Sequence, residues 1–242
     1  MTDITSAYWI QHEKKIHATF QKHARLYRDV VDAHPLARLP DNFEGRVHET
    51  IPRYSGSLPL HPGGSKGIFN SLTPILGMTA AIHTVLREEK WTVDQIGRLS
   101  YEVFRRQFDT TPRLLRRLAR RFMVSPLFPR FMRKDTRAMQ ASGRSDTFFA
   151  EYTFARRPRP TTTMVCTQCG MIQFMKAAGL EEMYSYCNIF DFAQADSFGL
   201  GLTQPSCIGQ GDDTCIYHFS RNPEDTSYPA GVGRIVKTDL ET

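Results

Sequence analysis

The chain has 242 residues, of which 40% are hydrophobic and 23% are charged, and its formal net charge is +6. These values are ordinary for a globular protein, and the absence of a run of about 18 apolar residues argues against a transmembrane helix. The N-terminal residues lack a basic segment followed by an apolar one, so we expect no secretory signal and a cytoplasmic location. The modest positive charge suits an anionic ligand but does not indicate nucleic-acid binding.

Helical patterns dominate the first part of the chain. Apolar residues recur at helical spacing over 5–33, and Pro35 ends this helix because proline disfavours helical backbone in the residue before it. Residues 34–67 are rich in Pro and Gly, which predicts an irregular arm and a boundary. We therefore divide the chain into an N-terminal helix with its arm, 1–67, and a second domain, 68–242.

A helical pattern returns over 69–90 despite an internal proline. Thr92 and Gln95 form a capping-box motif, in which each side chain binds a backbone N–H of the other residue, and this motif opens a helix to about residue 108. Pro112 suits the first turn of a further helix that extends through residue 123. Pro126 and Pro129 then break the helical pattern.

The helix after Pro112 is strongly basic. It carries five arginines around a stripe formed by Leu115, Leu118 and Phe122. A basic amphipathic helix can lie on an anionic membrane surface or face nucleic acid. We expect the ordinary arrangement instead, in which the apolar stripe faces the core and the arginines face solvent.

The second half of the chain predicts a small sheet with inserted helices. Strands are expected over 146–154 and 161–165, and helices over 168–178, where Gly179 provides the C-terminal cap, and over 181–195. Strands at 201–208 and 214–220 form a hairpin, with Pro205 at an edge or a bulge. The polar tail from Arg221 onward is expected to fray. The fold class is α+β, with N-terminal helices packed on a small antiparallel sheet.

All five cysteines lie in the last third of the chain, at Cys166, Cys169, Cys187, Cys207 and Cys215. In a reducing compartment we expect thiols rather than disulfides. The Cys166-x-x-Cys169 pair has the spacing of a zinc ligand pair, but no second pair follows. We expect no metal, and a structural zinc ion remains the alternative.

The cysteines differ in their predicted surroundings. Cys169 falls near a helix N-terminus, where the helix dipole favours the thiolate. Cys187 and Asp191 are four residues apart in one predicted helix, so they share a face with Tyr184. A carboxylate does not acidify a neighbouring thiol, so Asp191 suits an anchor for a substrate nitrogen or an acceptor for a water proton. Cys207 lies near the open end of the sheet.

These residues carry a resemblance that covers roughly Thr162 to Phe219. The chain resembles the L-2-amino-thiazoline-4-carboxylic acid hydrolase family in the apolar helix after Cys169, Gly179-Leu180, Cys187 with Asp191, Leu202-Thr203 and the ending G-D-D-T-C-x-Y-x-F. That ending is also similar to vinyl-reductase-like ligand-binding domains. The chain departs from the family in having one more residue between the Cys and the Asp, and Gln204 and Cys207 where the family has an Arg and Thr pair.

The resemblance implies that residues 68–242 form a hydrolase-like α+β domain that opens a small cyclic amidine or thiazoline-type amino acid. A thiolate attacks the amidine carbon, Asp191 holds the substrate nitrogen or guides water, and amides of 209–211 stabilise negative charge. The predicted catalytic residues are Cys187, Asp191 and Cys207, and the predicted substrate-binding residues are Cys169, Tyr184, Gln204 and His218.

We expect no cofactor, no nucleic-acid partner and no membrane partner, and a homo-oligomer is left open. The first alternative function is a non-catalytic small-ligand sensor on the same fold. The second is an interaction module that a zinc ion stabilises.

Overall fold

The computed structural model describes residues 4–34, 37–59, 68–142 and 147–237. The helices in these ranges are α1 Ile4–Gln11, α2 Glu13–Val31, α3 Phe43–Thr50, α4 Pro52–Ser55, α5 Ile68–Glu88, α6 Val93–Asp109, α7 Arg113–Met123, α8 Leu127–Ser142, α9 Gly170–Ala177, α10 Ile189–Phe198 and α11 Ala230–Lys237. The strands are β1 Phe149–Ala155, β2 Thr161–Gln168, β3 Gly201–Ser206 and β4 Cys215–Ser220, and short 3-10 helices cover Glu181–Tyr186, Ile208–Gln210 and Pro223–Asp225.

The four strands form one antiparallel sheet in the order β1-β2-β4-β3. Strand β3 is therefore an edge strand, and its register with β4 shifts between Thr203 and Ser206, on either side of Pro205. Because proline cannot donate a ladder hydrogen bond, an edge and an irregular register are where it is tolerated. Helices α9 and α10 lie between β2 and β3 in the chain, so the predicted α+β class with inserted helices is confirmed.

The helical layer is built around α2, α5 and α6. Helix α2 packs against α5 and α6, and α6 also packs against α10 and α11. The Thr92 capping box at the start of α6 is formed as predicted, with both reciprocal hydrogen bonds present. Within the described ranges, no helix is both long enough and apolar enough to cross a membrane.

The N-terminal segment is more helical than the sequence suggested. The predicted helix over 5–33 is divided at His12 into α1 and α2. The predicted irregular arm contains α3 and α4, and its apolar side chains Val47, Ile51 and Tyr54 are buried in the same core as α2. Hydrophobic burial, rather than local propensity, orders these short helices. Residues 60–67 of the arm lie outside the described residues, and the boundary at 67–68 stays a prediction.

Two further sequence expectations are wrong. Residues 127–142 form α8 despite Pro129, because that proline occupies the first helical turn, where no intrahelical partner for its missing N–H is required. The tail does not fray before residue 237, since α11 buries Val232 and Ile235 completely against α6. Gly97 permits this contact: a Cβ atom there would lie 2.8 Å from Cγ2 of Ile235.

Candidate functional site

A cavity of about 520 Å³ lies between the inner face of the sheet and the helices that cover it. Side chains from α5, α6, α7, α8, α9 and α10 form the helical wall, and β1, β2 and β4 form the other wall. The lining is mostly apolar and contains six phenylalanines together with six of the nine methionines, Met123, Met132, Met164, Met171, Met175 and Met183. Its volume is that of a site for a small organic molecule.

Strand alternation decides which sheet residues reach the cavity. Along β4, Cys215, Tyr217 and Phe219 are buried and line the cavity, as their two-residue spacing predicts. His218 points to the opposite face, where its Nδ1 lies 3.0 Å from Oγ1 of Thr163. His218 therefore does not line this cavity, and its role in substrate binding stays a prediction that the cavity does not support.

Asp191 is the carboxylate among the residues that line the cavity. It lies in the first turn of α10 and is part of the cavity wall. Burial raises the pKa of Asp191 to about 7, and the Tyr217 hydroxyl acts in the opposite direction by donating toward the carboxyl. Asp191 is therefore poised between its neutral and ionised forms near neutral pH.

Cys187 and Asp191 line the same cavity, although the single predicted helix that was to hold them is not formed. Cys187 is the C-terminal cap of the 3-10 helix Glu181–Tyr186, and Asp191 belongs to α10. The change of helix type also changes which tyrosine reaches the cavity. Tyr186 lines it and Tyr184 does not, so the cavity does not support the predicted role of Tyr184 in substrate binding.

Tyr186 belongs to a hydrogen-bonded chain that the sequence did not reveal. Its hydroxyl contacts Nδ1 of His83, whose Nε2 lies 2.6 Å from Oε1 of Glu182. Glu182 also accepts a hydrogen bond of 3.0 Å from Nε of Arg87. Burial lowers the pKa of His83, and the hydrogen bonds from His83 and Arg87 overcome desolvation to lower the pKa of Glu182.

These shifts assign the protons along the chain. A carboxylate only accepts, so Nε2 of the neutral His83 donates to Glu182, and Nδ1 accepts from the hydroxyl of Tyr186. The hydroxyl of Tyr186 is thus held by His83, and Tyr186 itself forms part of the cavity wall. About 100 residues separate His83 from its partners, so no local motif signals this contact.

The five cysteines are free and buried, and they converge at one end of the cavity. Cys166 and Cys215 are paired across β2 and β4, and Sγ of Cys187 lies 3.9 Å from Sγ of Cys207. Cys166, Cys169, Cys187 and Cys215 line the cavity, whereas Cys207 lies behind that wall. The predicted nucleophile Cys207 therefore has no direct surface on the cavity.

The thiols differ strongly in acidity. Hydrogen bonds from the thiols of Cys187 and Cys215, with further ones from the N–H groups of Gly209 and Gln210, lower the pKa of Cys207. Donation to Cys207 and burial raise the pKa of Cys187 and of Cys215. Cys207 is therefore the thiol of this cluster on which its neighbours favour negative charge.

Two further expectations about this region need correction. Cys169 is the N-terminal cap of α9 as predicted, but burial raises its pKa to about 11 instead of the helix dipole lowering it. The amides of Gly209 and Gln210 point at Cys207, so they are not free to stabilise negative charge in the cavity.

Gln204 is buried away from the cavity, where its Oε1 accepts a hydrogen bond from Asn188.

Among the described residues, no three His, Cys, Asp or Glu side chains are arranged to hold a metal ion. No protein-family model, curated protein or solved structure matches this chain. The resemblance to the thiazoline hydrolase family therefore stays a prediction. The class that the fold and site define is an α+β protein with a mainly apolar cavity, and Asp191 is the carboxyl among the described residues that line it.

Proposed function

We propose that this protein binds a small, predominantly apolar ligand that carries one basic or hydrogen-bonding group. The observation that carries the proposal is the apolar cavity of about 520 Å³ with Asp191 in its wall. A molecule with two fused rings is of the size that such a volume accommodates. Aromatic and aliphatic walls favour ligands of this kind over a fully polar amino acid, because burying unpaired polar groups is costly.

The methionines of the cavity wall indicate a site that accepts ligands of different shapes. The methionine side chain is unbranched and polarisable, so it fills irregular space and adapts to ligands of different shape. Six such side chains surround the cavity, together with the rings of Phe104, Phe108 and Phe190. We infer that shape selection is loose and that orientation is set by the few polar groups.

Asp191 provides the strongest of those polar groups. A ligand ammonium or amidinium beside the carboxyl would stabilise its ionised form, and hydrogen bonds to charged groups are the stronger kind. We therefore place the ligand's basic group beside Asp191 and its apolar body among the methionines.

Binding of the neutral fluorescent dye N-phenyl-1-naphthylamine tests whether the cavity holds an apolar ligand. We expect the wild-type protein to bind the dye and Met164→Trp to bind it at least about tenfold more weakly, because the larger ring occupies cavity volume. Thr167→Trp is the matched control, since Thr167 is exposed on the other face of the same strand. Equal dye affinity for the wild type and Met164→Trp would show that the dye binds elsewhere.

The role of Asp191 is tested with two ligands of equal shape, 1-ethylnaphthalene and 1-naphthylmethylamine. We expect the wild type to prefer the amine by roughly tenfold or more, and Asp191→Asn to lose that preference while still binding the hydrocarbon. Asp213→Asn, at an exposed carboxylate, is the control. Retention of the amine preference by Asp191→Asn would remove Asp191 from the site.

A second candidate function is the hydrolysis that the family resemblance implies. It is supported by the presence of Cys187 and Asp191 in one cavity wall and by the 3.9 Å between the sulfurs of Cys187 and Cys207. In this mechanism Cys187 attacks the amidine carbon of the substrate and passes its proton to the Cys207 thiolate. Asp191 holds the ring nitrogen, which takes that proton as the ring C–N bond breaks. Water then adds to the same carbon and gives a proton to the sulfur of Cys187 as the C–S bond breaks, so the opened product leaves and both cysteines return to their initial state.

Turnover of 2-amino-thiazoline-4-carboxylate and related cyclic amidines separates the two functions. Hydrolysis predicts that Cys187→Ala and Asp191→Asn each reduce the rate by about a hundredfold or more. Cys166→Ala is the control, because it removes a thiol from the same wall that has no role in the reaction. If the wild-type protein binds these compounds and forms no product, only the binding function is supported.

A further inference from the structure

Helices α7 and α8 form a hairpin whose outer surface is both apolar and basic. Six of the eight large hydrophobic side chains that are exposed among the described residues lie on it: Leu114, Leu115, Leu118, Phe122, Leu127 and Phe131. Leu114 is 66% exposed and Phe131 is 57% exposed, and α7 has no buried residue at all. The expectation that this stripe faces the core is therefore wrong.

The orientation of α7 has a specific cause. Arg116 and Arg120, one turn apart, point toward the protein and bind the end of α10. Nη1 of Arg116 lies 2.8 Å from the carbonyl oxygen of Ser197 and 2.5 Å from Oδ1 of Asp109, and Nη1 of Arg120 lies 3.2 Å from the carbonyl oxygen of Gly199. Since these arginines form the inner face, the leucines on the opposite side of the helix are left outside.

The outer apolar surface is continuous across both helices. The ring of Phe122 on α7 lies edge-on to the rings of Phe128 and Phe131 at 5.6 and 5.7 Å, so the helices are joined by aromatic contacts. An exposed apolar surface of this extent marks an interaction site rather than an ordinary solvated face.

The charge of the protein is concentrated on the same hairpin. Residues 113–137 contain nine of the 31 basic residues and one of the 25 acidic ones, so this segment has a formal charge of +8 and the rest of the chain −2. Arg117, Arg121, Arg130, Arg133 and Arg137 are exposed around the leucines. The partner must therefore present an apolar layer and a negative charge together.

We propose that the α7–α8 hairpin binds the surface of an anionic lipid bilayer, with its leucines and phenylalanines inserted at the headgroup level and its arginines on the lipid phosphates and carboxylates. Amphipathic basic helices bind membranes in this way without crossing them. A second copy of the chain is disfavoured, because it would bring two segments of +8 together. Nucleic acid is disfavoured, because it offers the exposed leucines no apolar surface. This membrane contact departs from the expectation that the protein has no membrane partner.

Vesicle flotation tests the proposal with the full chain. We expect binding to phosphatidylcholine vesicles that contain about 30% phosphatidylserine, weak binding to pure phosphatidylcholine, and weaker binding as salt is raised. Arg117→Gln/Arg121→Gln should reduce affinity by roughly thirtyfold, since each basic residue near the surface contributes about a fivefold factor. Leu115→Ser/Leu118→Ser should also release the protein, through loss of insertion.

Two control variants separate an effect of the hairpin from a general effect of removing arginine or apolar side chains. Arg156→Gln/Arg157→Gln and Ile10→Ser change exposed residues of the same kinds away from the hairpin, and they should bind vesicles as the wild type does. Thermal unfolding should be unchanged in all variants, because every altered side chain is exposed. The proposal is overturned if wild-type protein ignores phosphatidylserine, or if the hairpin variants bind as the wild type does. It is also overturned if Leu115→Ser/Leu118→Ser instead dissociates a lipid-free dimer.

Discussion

Asp191→Asn should remove a decline in folding stability that the wild-type protein shows as pH rises from about 4 to about 7. Below its ordinary pKa of 3.8 the carboxyl is protonated in both the folded and unfolded states. Between 3.8 and about 7 the unfolded chain has lost the proton and the folded protein still holds it. The folded state binds more protons in this window, so the free energy of unfolding falls as pH increases.

The size of this effect follows from the two pKa values. The difference between 3.8 and about 7 corresponds to at most about 4 kcal/mol, reached above the folded-state pKa, where the carboxylate is ionised inside the cavity. Asparagine resembles the neutral acid, so the variant lacks this term at every pH. We therefore expect the variant to be the more stable protein at alkaline pH by up to that amount.

Urea unfolding across this pH range measures the difference directly. The quantity of interest is the free energy of unfolding of Asp191→Asn minus that of the wild type, because contributions from other groups, such as His83, cancel in it. Asp213→Asn, at an exposed carboxylate, should show a difference that does not grow with pH. If the difference in free energy of unfolding between Asp191→Asn and the wild type is also independent of pH, the Asp191 carboxyl is solvated in the folded state.

Ile235→Ala should destabilise the protein by about 2–4 kcal/mol, although it lies in a segment that looks like a frayed tail. The side chain is fully buried and packs on Gly97 of α6, so truncation leaves a cavity that a helix backbone cannot close. The measurement is urea unfolding at constant pH.

Arg234→Ala is the matched control for Ile235→Ala. Arg234 is exposed and its Nε lies 2.7 Å from Oδ2 of Asp94, and we expect its removal to cost less than about 1 kcal/mol, as exposed ion pairs do. If both variants unfold like the wild type, α11 does not dock on the core in solution. If both lose several kcal/mol, the ion pair rather than apolar burial holds the helix.

The balance between ligand binding and hydrolysis depends on where charge can reside. Cys207 has the lowered pKa but lies behind the cavity wall, and Cys187 reaches the cavity but has a raised pKa. A nucleophile in the cavity therefore requires proton transfer over the 3.9 Å that separates their sulfurs. A ligand held by apolar walls and Asp191 requires no such step, which is why binding is the leading proposal.

The sequence alone determined the fold class and most of the secondary structure. Turn and cap residues act locally, so Thr92, Gly179 and Pro205 predicted a capping box, a helix end and an edge strand, all of which are present. Strand alternation also placed Tyr217 and Phe219 on the buried face of β4. Local sequence failed where burial outweighs propensity, as in α3 and α11.

The tertiary structure decided the arrangement of the site. Cys187 and Asp191 were identified from the sequence, but their shared cavity arises from helices and strands that are distant in the chain, as does the contact of His83 with Tyr186. An amphipathic helical pattern defines an apolar face and a polar face, but it does not determine which of them packs against the rest of the protein. On α7 the ends of Arg116 and Arg120 find acceptors on α10, and this choice, invisible in the sequence, turns the leucines outward.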